Sequence, residues 1–185
     1  DKFATSIEAE LAELAMAKTK FEVRMASNES ESQWTSAGID TGEYFLSPNV
    51  GEELRPLARI VSGGELSRVM LALKTLGAKD GMPGKTLIFD EVDAGIGGRV
   101  ASVVGDKLAA LGQRFQVLCI THLPQIAASG RTHFLIEKRV QGSRTVTDAQ
   151  YLNDDERRTE LARMLSGSQI TPAGLEHASQ LLKAN

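Results

Sequence analysis

The stretch "TLIFDEVDAGIGG", residues 86 to 98, runs from apolar side chains directly into two adjacent carboxylates and then into a glycine-rich turn. A short apolar run that ends in a turn is typical of a buried β-strand. Burying a charge without a partner is strongly unfavourable. Asp90 and Glu91 are therefore unusual residues for the end of such a strand, and a bound cation would offset their charge.

The segments around this stretch alternate between strand and helix patterns. They predict a strand over 86–91, a helix over about 98–111, a strand over 115–121 and a short helix over about 123–129. This order, with near-continuous apolar runs in both strands, predicts an α/β fold whose parallel sheet is covered on both faces. Carboxyl ends of neighbouring parallel strands share an edge, where ligands bind. Asp90 and Glu91 should therefore lie near Thr121 and His122.

The remaining patterns complete the predicted architecture. Apolar residues at helical spacing predict a helix over residues 1–18, and alternation predicts strands near 19–25 and 42–46. A hairpin at 132–140 and 144–152 is expected to extend the sheet in the antiparallel direction. Two helices are expected to follow it, the second starting at Thr171-Pro172. His133, His177 and the ion-rich "NDDERRTE" are interpreted as surface residues.

Composition limits the classes of function. The 185 residues with 42% hydrophobic content are enough for one principal domain. A net charge of -3 provides no overall basic footprint for nucleic acid, so any DNA contact would be local. No apolar run approaches the roughly 20 residues that a membrane span requires. The single cysteine, Cys119, lies in an apolar run and is predicted to be a buried core thiol, which fits a reducing compartment.

The segment "SGGE", residues 62–65, begins the best-defined helix, which ends near Gly77. Ser62 and Glu65 have the spacing of a capping box. A capping box does not require the glycines, because Gly63 and Gly64 each lower helix propensity by about 1 kcal/mol relative to Ala. Glycines leave the helix N-terminus uncovered, where the helix dipole favours an anion. The pattern therefore indicates a phosphate-binding helix end.

Three segments occur in a characteristic order and spacing: "VSGGELSRVMLALK", "TLIFDEVDAGIGG" and "VLCITHLPQIAASG". Together they resemble the ABC-type ATPase heads of the SMC-like proteins, in particular those that act in bacterial DNA repair. The resemblance spans roughly residues 45–137, with a further similar stretch near the C-terminus. It implies the C-terminal lobe of a P-loop ATPase head over residues 19–185, and the end of a coiled-coil helix over residues 1–18.

The resemblance implies ATP and Mg²⁺ as cofactors and a role for each motif residue. Ser62, Gly63, Gly64 and Glu65 match the ABC signature, which contacts the γ-phosphate of ATP bound to the opposing head.

In the same resemblance, Asp90 matches the Walker B aspartate near Mg²⁺, and Glu91 matches the catalytic base. Asp93 matches the loop that meets its counterpart across the dimer. His122 matches the switch histidine that senses the γ-phosphate. Arg68, in the turn after the signature, is either a phosphate or partner contact or part of a solvated helix face.

A Walker A loop, G-x-x-x-x-G-K-[ST], is missing from the chain. The segment "KDGMPGKT" at 79–86 begins with Lys79, contains Pro83 and precedes a strand, so it is interpreted as a connecting loop. The resemblance therefore implies an N-terminal Walker A lobe as a partner, a head-to-head homodimer around ATP, and DNA contact through the intact protein. No membrane contact is expected, and the protein is expected in the bacterial cytoplasm at the nucleoid. The isolated chain is expected to be inactive.

Two alternatives remain open at this stage. The chain could be a non-catalytic interaction lobe that recruits the N-terminal lobe. It could also be a metal-dependent phosphoesterase built on Asp90, Glu91 and Asp93, although that reading leaves "SGGE" unexplained.

Overall fold

The computed structural model of the chain describes residues 2–36, 38–59, 62–78, 84–142, 144–167 and 169–184. Helices in these ranges are α1 (Lys2–Glu13), α2 (Gly63–Gly77), α3 (Gly98–Leu111), α4 (Pro124–Ser129), α5 (Asp154–Ser166) and α6 (Pro172–Ala184). Strands are β1 (Lys20–Ser27), β2 (Asp40–Ser47), β3 (Arg55–Pro56), β4 (Thr86–Phe89), β5 (Gln116–Cys119), β6 (Phe134–Gln141) and β7 (Arg144–Tyr151). Residues 79–83 of the predicted connecting loop lie outside the described residues.

Strands β4 and β5 form the predicted parallel pair, with Thr86 opposite Gln116 and Phe89 opposite Cys119. One face of the pair packs on the core through alternate residues, of which Phe89 is buried. The opposite face is exposed, with Ile88 at 68% and Leu118 at 48% of their full accessibility. The expectation that both faces are covered is therefore wrong within this chain, because Ile88 and Leu118 stay exposed on the outer face.

The antiparallel strands form two separate sheets. Strand β2 lies between β1 and β3 in one sheet, and β6 pairs with β7 over its full length in the other. The hairpin is thus present where it was predicted. Its predicted extension of the parallel sheet is wrong for the described residues, in which β6 and β7 pair only with each other.

The main core lies between α1, α2, α3 and the inner face of β4 and β5. Its fully buried side chains include Ile7, Leu11, Leu14, Val69, Leu71 and Val104. A smaller cluster joins α5 and α6 to the end of α4 through Ala128, Leu161, Ala162 and Ala178. Amphipathic spacing in each helix predicts these faces, because residues three or four positions apart lie on the same side.

Helix α1 is shorter than the predicted helix over residues 1–18. It ends at Glu13, and Ala15 adopts a left-handed conformation with φ of 62°. The amide of Met16 donates to the carbonyl of Leu11 at 2.9 Å, which closes the turn. Because the side chains of Leu14 and Met16 are buried after this turn, core packing ends the helix before residue 18.

An ion pair network ties α1 to α3. The Lys107 ammonium lies 2.6 Å from a carboxylate oxygen of Glu10 and 2.7 Å from one of Glu13. Partial burial by itself lowers the pKa of Lys107, but the two carboxylates outweigh it and the pKa is raised. The two carboxylates therefore favour the charged form of Lys107 at the contact between α1 and α3.

Two residues of the "NDDERRTE" run, Arg157 and Glu160, lie on the side of α5 that faces the protein interior. Glu160 is buried, and the half-buried Arg157 donates from Nη2 to the carbonyls of Ala127 at 3.2 Å and Ala128 at 2.9 Å. These are among the last carbonyls of α4, which have no partner within their own helix. The expectation of a fully solvated segment is therefore wrong for these two residues, because α5 packs on α4.

None of the helices within the described ranges is long and apolar enough to cross a membrane.

Candidate functional site

The ends of β4 and β5 lie side by side, as the parallel order predicted. The amide of Ile120 donates to the carbonyl of Phe89 at 2.9 Å, which continues the ladder one residue beyond β5. Asp90 and Glu91 follow β4 as exposed residues, and Thr121 and His122 follow β5 at the same edge. The edge thus brings two carboxylates, a hydroxyl and an imidazole together.

Helix α2 begins beside this edge. Ser62 is its N-cap residue, and its hydroxyl accepts a hydrogen bond from the Glu65 amide at 3.4 Å. This is the Ser62 half of the predicted capping box, and it satisfies one of the free amides at the helix start. We call residues 62–65 the helix tip.

The loop after β4, residues 90–94, packs directly on the helix tip. A Cβ atom at Gly63 would clash with Oε2 of Glu91, and one at Gly64 would lie 2.7 Å from the Cβ of Ala94. Contacts this short are not tolerated between real atoms. Gly64 is therefore required within this chain to let the loop approach the helix, whereas a side chain at Gly63 would displace only the end of Glu91. The Glu91 carboxylate also lies where the helix dipole favours a negative charge.

Glu91 has an unusual backbone conformation. Its φ of 56° is left-handed, which is uncommon for a residue other than glycine. The carbonyl of Glu91 accepts a hydrogen bond from the amide of Ala94 at 3.0 Å, so the loop turns sharply at this point. Each residue in such a conformation lowers the stability of the fold by about 1–3 kcal/mol, and such residues cluster at functional sites.

Two side chains of α2 hold the same loop. The hydroxyl of Ser67 donates to the carbonyl of Asp90, and Nη1 of Arg68 donates to the carbonyl of Ala94 at 2.8 Å. Arg68 is buried, and this burial lowers the pKa of its guanidinium while the charge of Glu65 opposes the shift. The alternative of a solvated helix face is therefore wrong for Arg68.

The buried carboxylate of Asp93 links the two strand ends. Its Oδ2 accepts from the Thr121 hydroxyl at 2.7 Å and from the His122 amide at 2.9 Å. The same oxygen lies 2.9 Å from Nδ1 of His122. The resemblance predicted that Asp93 lies in a loop that faces a second head, and no short-range pattern predicted this contact within the lobe, because its partners lie 28 and 29 positions away.

Cys119 packs against the main core but is half-buried, so it is less buried than the predicted core thiol. Burial, followed by the charges of Asp93 and Asp90, raises the pKa of its thiol to about 12. The thiol is therefore protonated at neutral pH, as expected for a packing residue. Within the described ranges, no group of three or more His, Cys, Asp or Glu side chains is arranged to hold a metal ion.

Comparisons with known proteins agree with this architecture. No protein-family model matches the chain. DNA repair protein RecN of Halalkalibacterium halodurans is 45% identical over 96% of this chain and 31% of its own length. RecN of Treponema pallidum is 45% identical over 100% of this chain and 32% of its own length. RecN of Bacillus subtilis is 42% identical over 98% of this chain and 34% of its own length.

Among solved structures, the Smc head domain derived from Pyrococcus yayanosii, crystallised with a coiled coil and joint, aligns with a TM-score of 0.56 at 18% identity. The alignment covers 88% of this chain and 29% of that chain. At this identity the match establishes the fold alone. The chain spans about a third of the length of its RecN relatives. Over nearly its whole length the chain is therefore similar to about a third of these RecN DNA repair proteins, and it has the fold of an SMC head.

Proposed function

We propose that the chain is the C-terminal lobe of the ATPase head of a RecN-like DNA repair protein. The observation that supports this most directly is the meeting of the helix tip, the loop over residues 90–94 and the residues after β5. A capped helix start, adjacent carboxylates and an outward imidazole are the groups that ATPases use to bind a triphosphate and activate water.

In this proposal, Glu91 is the general base that takes a proton from the attacking water. His122 contacts the γ-phosphate through its exposed ring, which retains 74% of its side-chain accessibility. Asp93 belongs to the loop that approaches a second head, although its own carboxylate is engaged inside the lobe. Positioning these groups at one sheet edge is the main catalytic contribution of such a lobe.

The helix tip is proposed to act on the nucleotide of the opposing head. The Ser62 hydroxyl and the amides of Gly63 and Gly64 would contact its γ-phosphate, and Glu65 completes the tip. Because the Glu91 carboxylate lies over Gly63, it must turn away before a triphosphate reaches the helix end. Two anions cannot share this position without strong repulsion.

Asp90 is proposed to hold Mg²⁺, and its donor chemistry fits that ion. The Asp90 side chain is exposed at the end of β4, next to the positions proposed for the phosphates. Mg²⁺ is commonly held by one or two carboxylates, with substrate phosphates and water as the other ligands. When bound, the ion would neutralise charge on the phosphoryl group.

The lobe is proposed to require an N-terminal lobe that carries the Walker A loop. The exposed outer face of β4 and β5, which includes Ile88, Leu118 and Ile120, supports this. Parallel strands are normally covered on both faces. Head-to-head dimerisation around ATP, DNA contact through the intact protein, and a location in the bacterial cytoplasm at the nucleoid are parts of the same proposal.

The first test measures ATP hydrolysis by the purified chain, with and without an N-terminal lobe. The chain alone with Mg²⁺ at neutral pH is expected to show no appreciable turnover, because the Walker A residues are supplied by the other lobe. The mixture is expected to hydrolyse ATP. Turnover by the chain alone, or none in a mixture that forms a stable complex, would contradict the proposal.

The second test replaces the proposed base in that mixture. Glu91→Gln is expected to slow hydrolysis by about 10²- to 10⁴-fold, the usual contribution of a general base. ATP-dependent dimerisation, measured by light scattering, should persist. Glu53→Gln, which neutralises an exposed carboxylate before β3, is the matched control and should change neither quantity. Loss of dimerisation with hydrolysis retained would overturn the role of Glu91.

The outer face of β4 and β5 equally favours a non-catalytic interaction lobe. This candidate predicts a stable complex with the N-terminal lobe in which Glu91→Gln has no effect on turnover. The geometry does not favour the other alternative, a metal-dependent phosphoesterase built on Asp90, Glu91 and Asp93. The Asp93 carboxylate is buried and already accepts hydrogen bonds from Thr121 and His122.

A further inference from the structure

We infer that Asp93 is a positioning residue, whose buried carboxylate orients the His122 imidazole and selects which ring nitrogen faces outward. This inference rests on the proposed function, in which His122 contacts a nucleotide phosphate. It assigns Asp93 a role inside its own lobe, distinct from the contact with a second head that its motif implies.

The geometry of one oxygen atom carries the inference. Oδ2 of Asp93 lies 2.9 Å from the backbone amide of His122 and 2.9 Å from its ring Nδ1. The carboxylate thus binds the main-chain amide of His122 and lies within hydrogen-bond distance of its ring nitrogen. Its own side chain is 5% exposed, whereas that of His122 is 74% exposed. A buried anion therefore anchors an imidazole that faces solvent.

Neighbouring contacts fix the carboxylate in turn. The Thr121 hydroxyl donates to Oδ2 of Asp93 at 2.7 Å and accepts from the amide of Leu123 at 3.0 Å. On the other side, Arg68 holds the carbonyl of Ala94, the residue after Asp93. Hydrogen bonds in such a chain strengthen one another in a low-dielectric environment. Asp93 therefore has little freedom to leave His122.

This arrangement has a chemical consequence for the ring. A carboxylate only accepts hydrogen bonds, so the nitrogen that faces it carries a proton. In this inference Nδ1 carries the proton that faces Asp93, so Nε2 is the atom that remains for a ligand. The tautomer of a functional histidine is commonly set in this way by the partner of its other nitrogen. In a protonated ring, Nε2–H donates to a phosphate oxygen.

The test is a double-mutant cycle on ATP hydrolysis by the full-length protein that contains this chain. Asp93→Asn is expected to lower kcat by about 10- to 100-fold, the cost typical of losing a group that orients a functional histidine. The KM for ATP should change less. In the His122→Ala background, Asp93→Asn should cause no further loss, because the residue acts through the ring. A further loss of similar size would overturn the inference.

The cycle separates this inference from the proposed function. If His122→Ala leaves hydrolysis unchanged, the proposed role of His122 fails. If His122→Ala slows hydrolysis but Asp93→Asn does not, the positioning role fails and the proposed function stands. Asp106→Asn, which removes the same charge from an exposed site on α3, is the matched control and should leave kcat unchanged.

A second readout does not depend on turnover. ¹⁵N spectra of the histidine rings, assigned by loss of the His122 signals in His122→Ala, should show a protonated Nδ1 in the parent protein at neutral pH. Thr121→Val, which leaves the Asp93 carboxylate in place, should retain that state, and Asp93→Asn should change it. If Asp93→Asn does not fold, an unprotonated Nδ1 in the parent protein would still overturn the inference.

Discussion

The two glycines at the start of α2 have different neighbours. A Cβ at Gly63 would meet the carboxylate end of Glu91, which can rotate away. A Cβ at Gly64 would meet the Cβ of Ala94, the Glu91 carbonyl at 3.1 Å and the Ala94 carbonyl at 3.3 Å. These atoms belong to a loop that Arg68 also holds. Gly64 is therefore the position at which an added methyl group is least tolerated.

Substitution of these glycines is expected to separate their roles. Gly64→Ala should lower the free energy of unfolding by about 1–3 kcal/mol, the usual cost of overpacking. Gly63→Ala should cost less, because Glu91 can move and alanine raises helix propensity by about 1 kcal/mol. Urea unfolding of the purified protein measures both.

Gly77→Ala is the matched control for this pair, since it lies at the other end of α2 with open space around its added methyl group. It should leave stability unchanged or slightly raised. Equal losses for Gly63→Ala and Gly64→Ala would show that the contact with Ala94 does not limit the site.

At the scale of elements, the junction between α4 and α5 contains a histidine that is half-buried, whereas the sequence had predicted a position on the surface. His133 lies just before β6, and its Nδ1 is buried without a hydrogen-bond partner within the described residues. Burial, followed by the positive charge of Arg157, lowers the pKa of His133, while Glu160 opposes the shift. The junction is therefore built to hold a neutral imidazole.

Protonation of His133 should lower the free energy of unfolding as the pH falls below about 6.5, the ordinary pKa of histidine. In that range the unfolded chain binds a proton at His133 more readily than the folded chain, so the free energy of unfolding decreases with decreasing pH. Urea unfolding at pH 7.5 and at pH 5.5 measures the effect.

His133→Gln should reduce this difference between the two pH values. His177→Gln, at an exposed position on α6, should leave the difference as it is. An identical pH dependence in His133→Gln and the parent protein would mean that His133 is not the titrating group.

At the scale of the whole molecule, the outer face of β4 and β5 is an exposed apolar surface. Ile88 and Leu118 are opposite each other in the register, and Ile120 follows two residues later on the same face. Ile120 retains 60% of its accessibility. Adjacent exposed apolar side chains of this kind mark an interaction surface, and the proposed N-terminal lobe is the partner expected to cover it.

Polar substitutions on this face should weaken binding of the N-terminal lobe. Burying one such side chain contributes roughly 1.5–3 kcal/mol, so Ile88→Ser should raise the Kd by about tenfold or more. The free energy of unfolding of the chain should change little, because the side chain is already exposed. Isothermal titration calorimetry of the two lobes measures the Kd.

Val140→Ser on the β6–β7 hairpin is the control, since Val140 is 80% exposed and lies in a different sheet. It should not change the Kd. An unchanged Kd for Ile88→Ser would place the lobe contact elsewhere.

Much of the fold was predictable because it depends on short-range patterns. The apolar spacing in α2, the cap at Ser62 and the proline at the start of α6 act over a few residues, and the structure has these helices where they were expected. The parallel order of β4 and β5 was likewise predictable, because a helix connects them. That Asp90, Glu91 and His122 follow the ends of two neighbouring strands was also predictable from that order.

The sequence by itself determined which elements form and which residues reach the shared strand edge, because local periodicity and chain connectivity decide both. The tertiary structure alone decided the partners of those residues. Arg68 contacts a carbonyl 26 positions away, and Asp93 contacts an amide 29 positions away. It also decided that α1 ends early and that Glu91 covers Gly63. Such contacts depend on how helices and loops pack in three dimensions, which short-range sequence patterns do not contain.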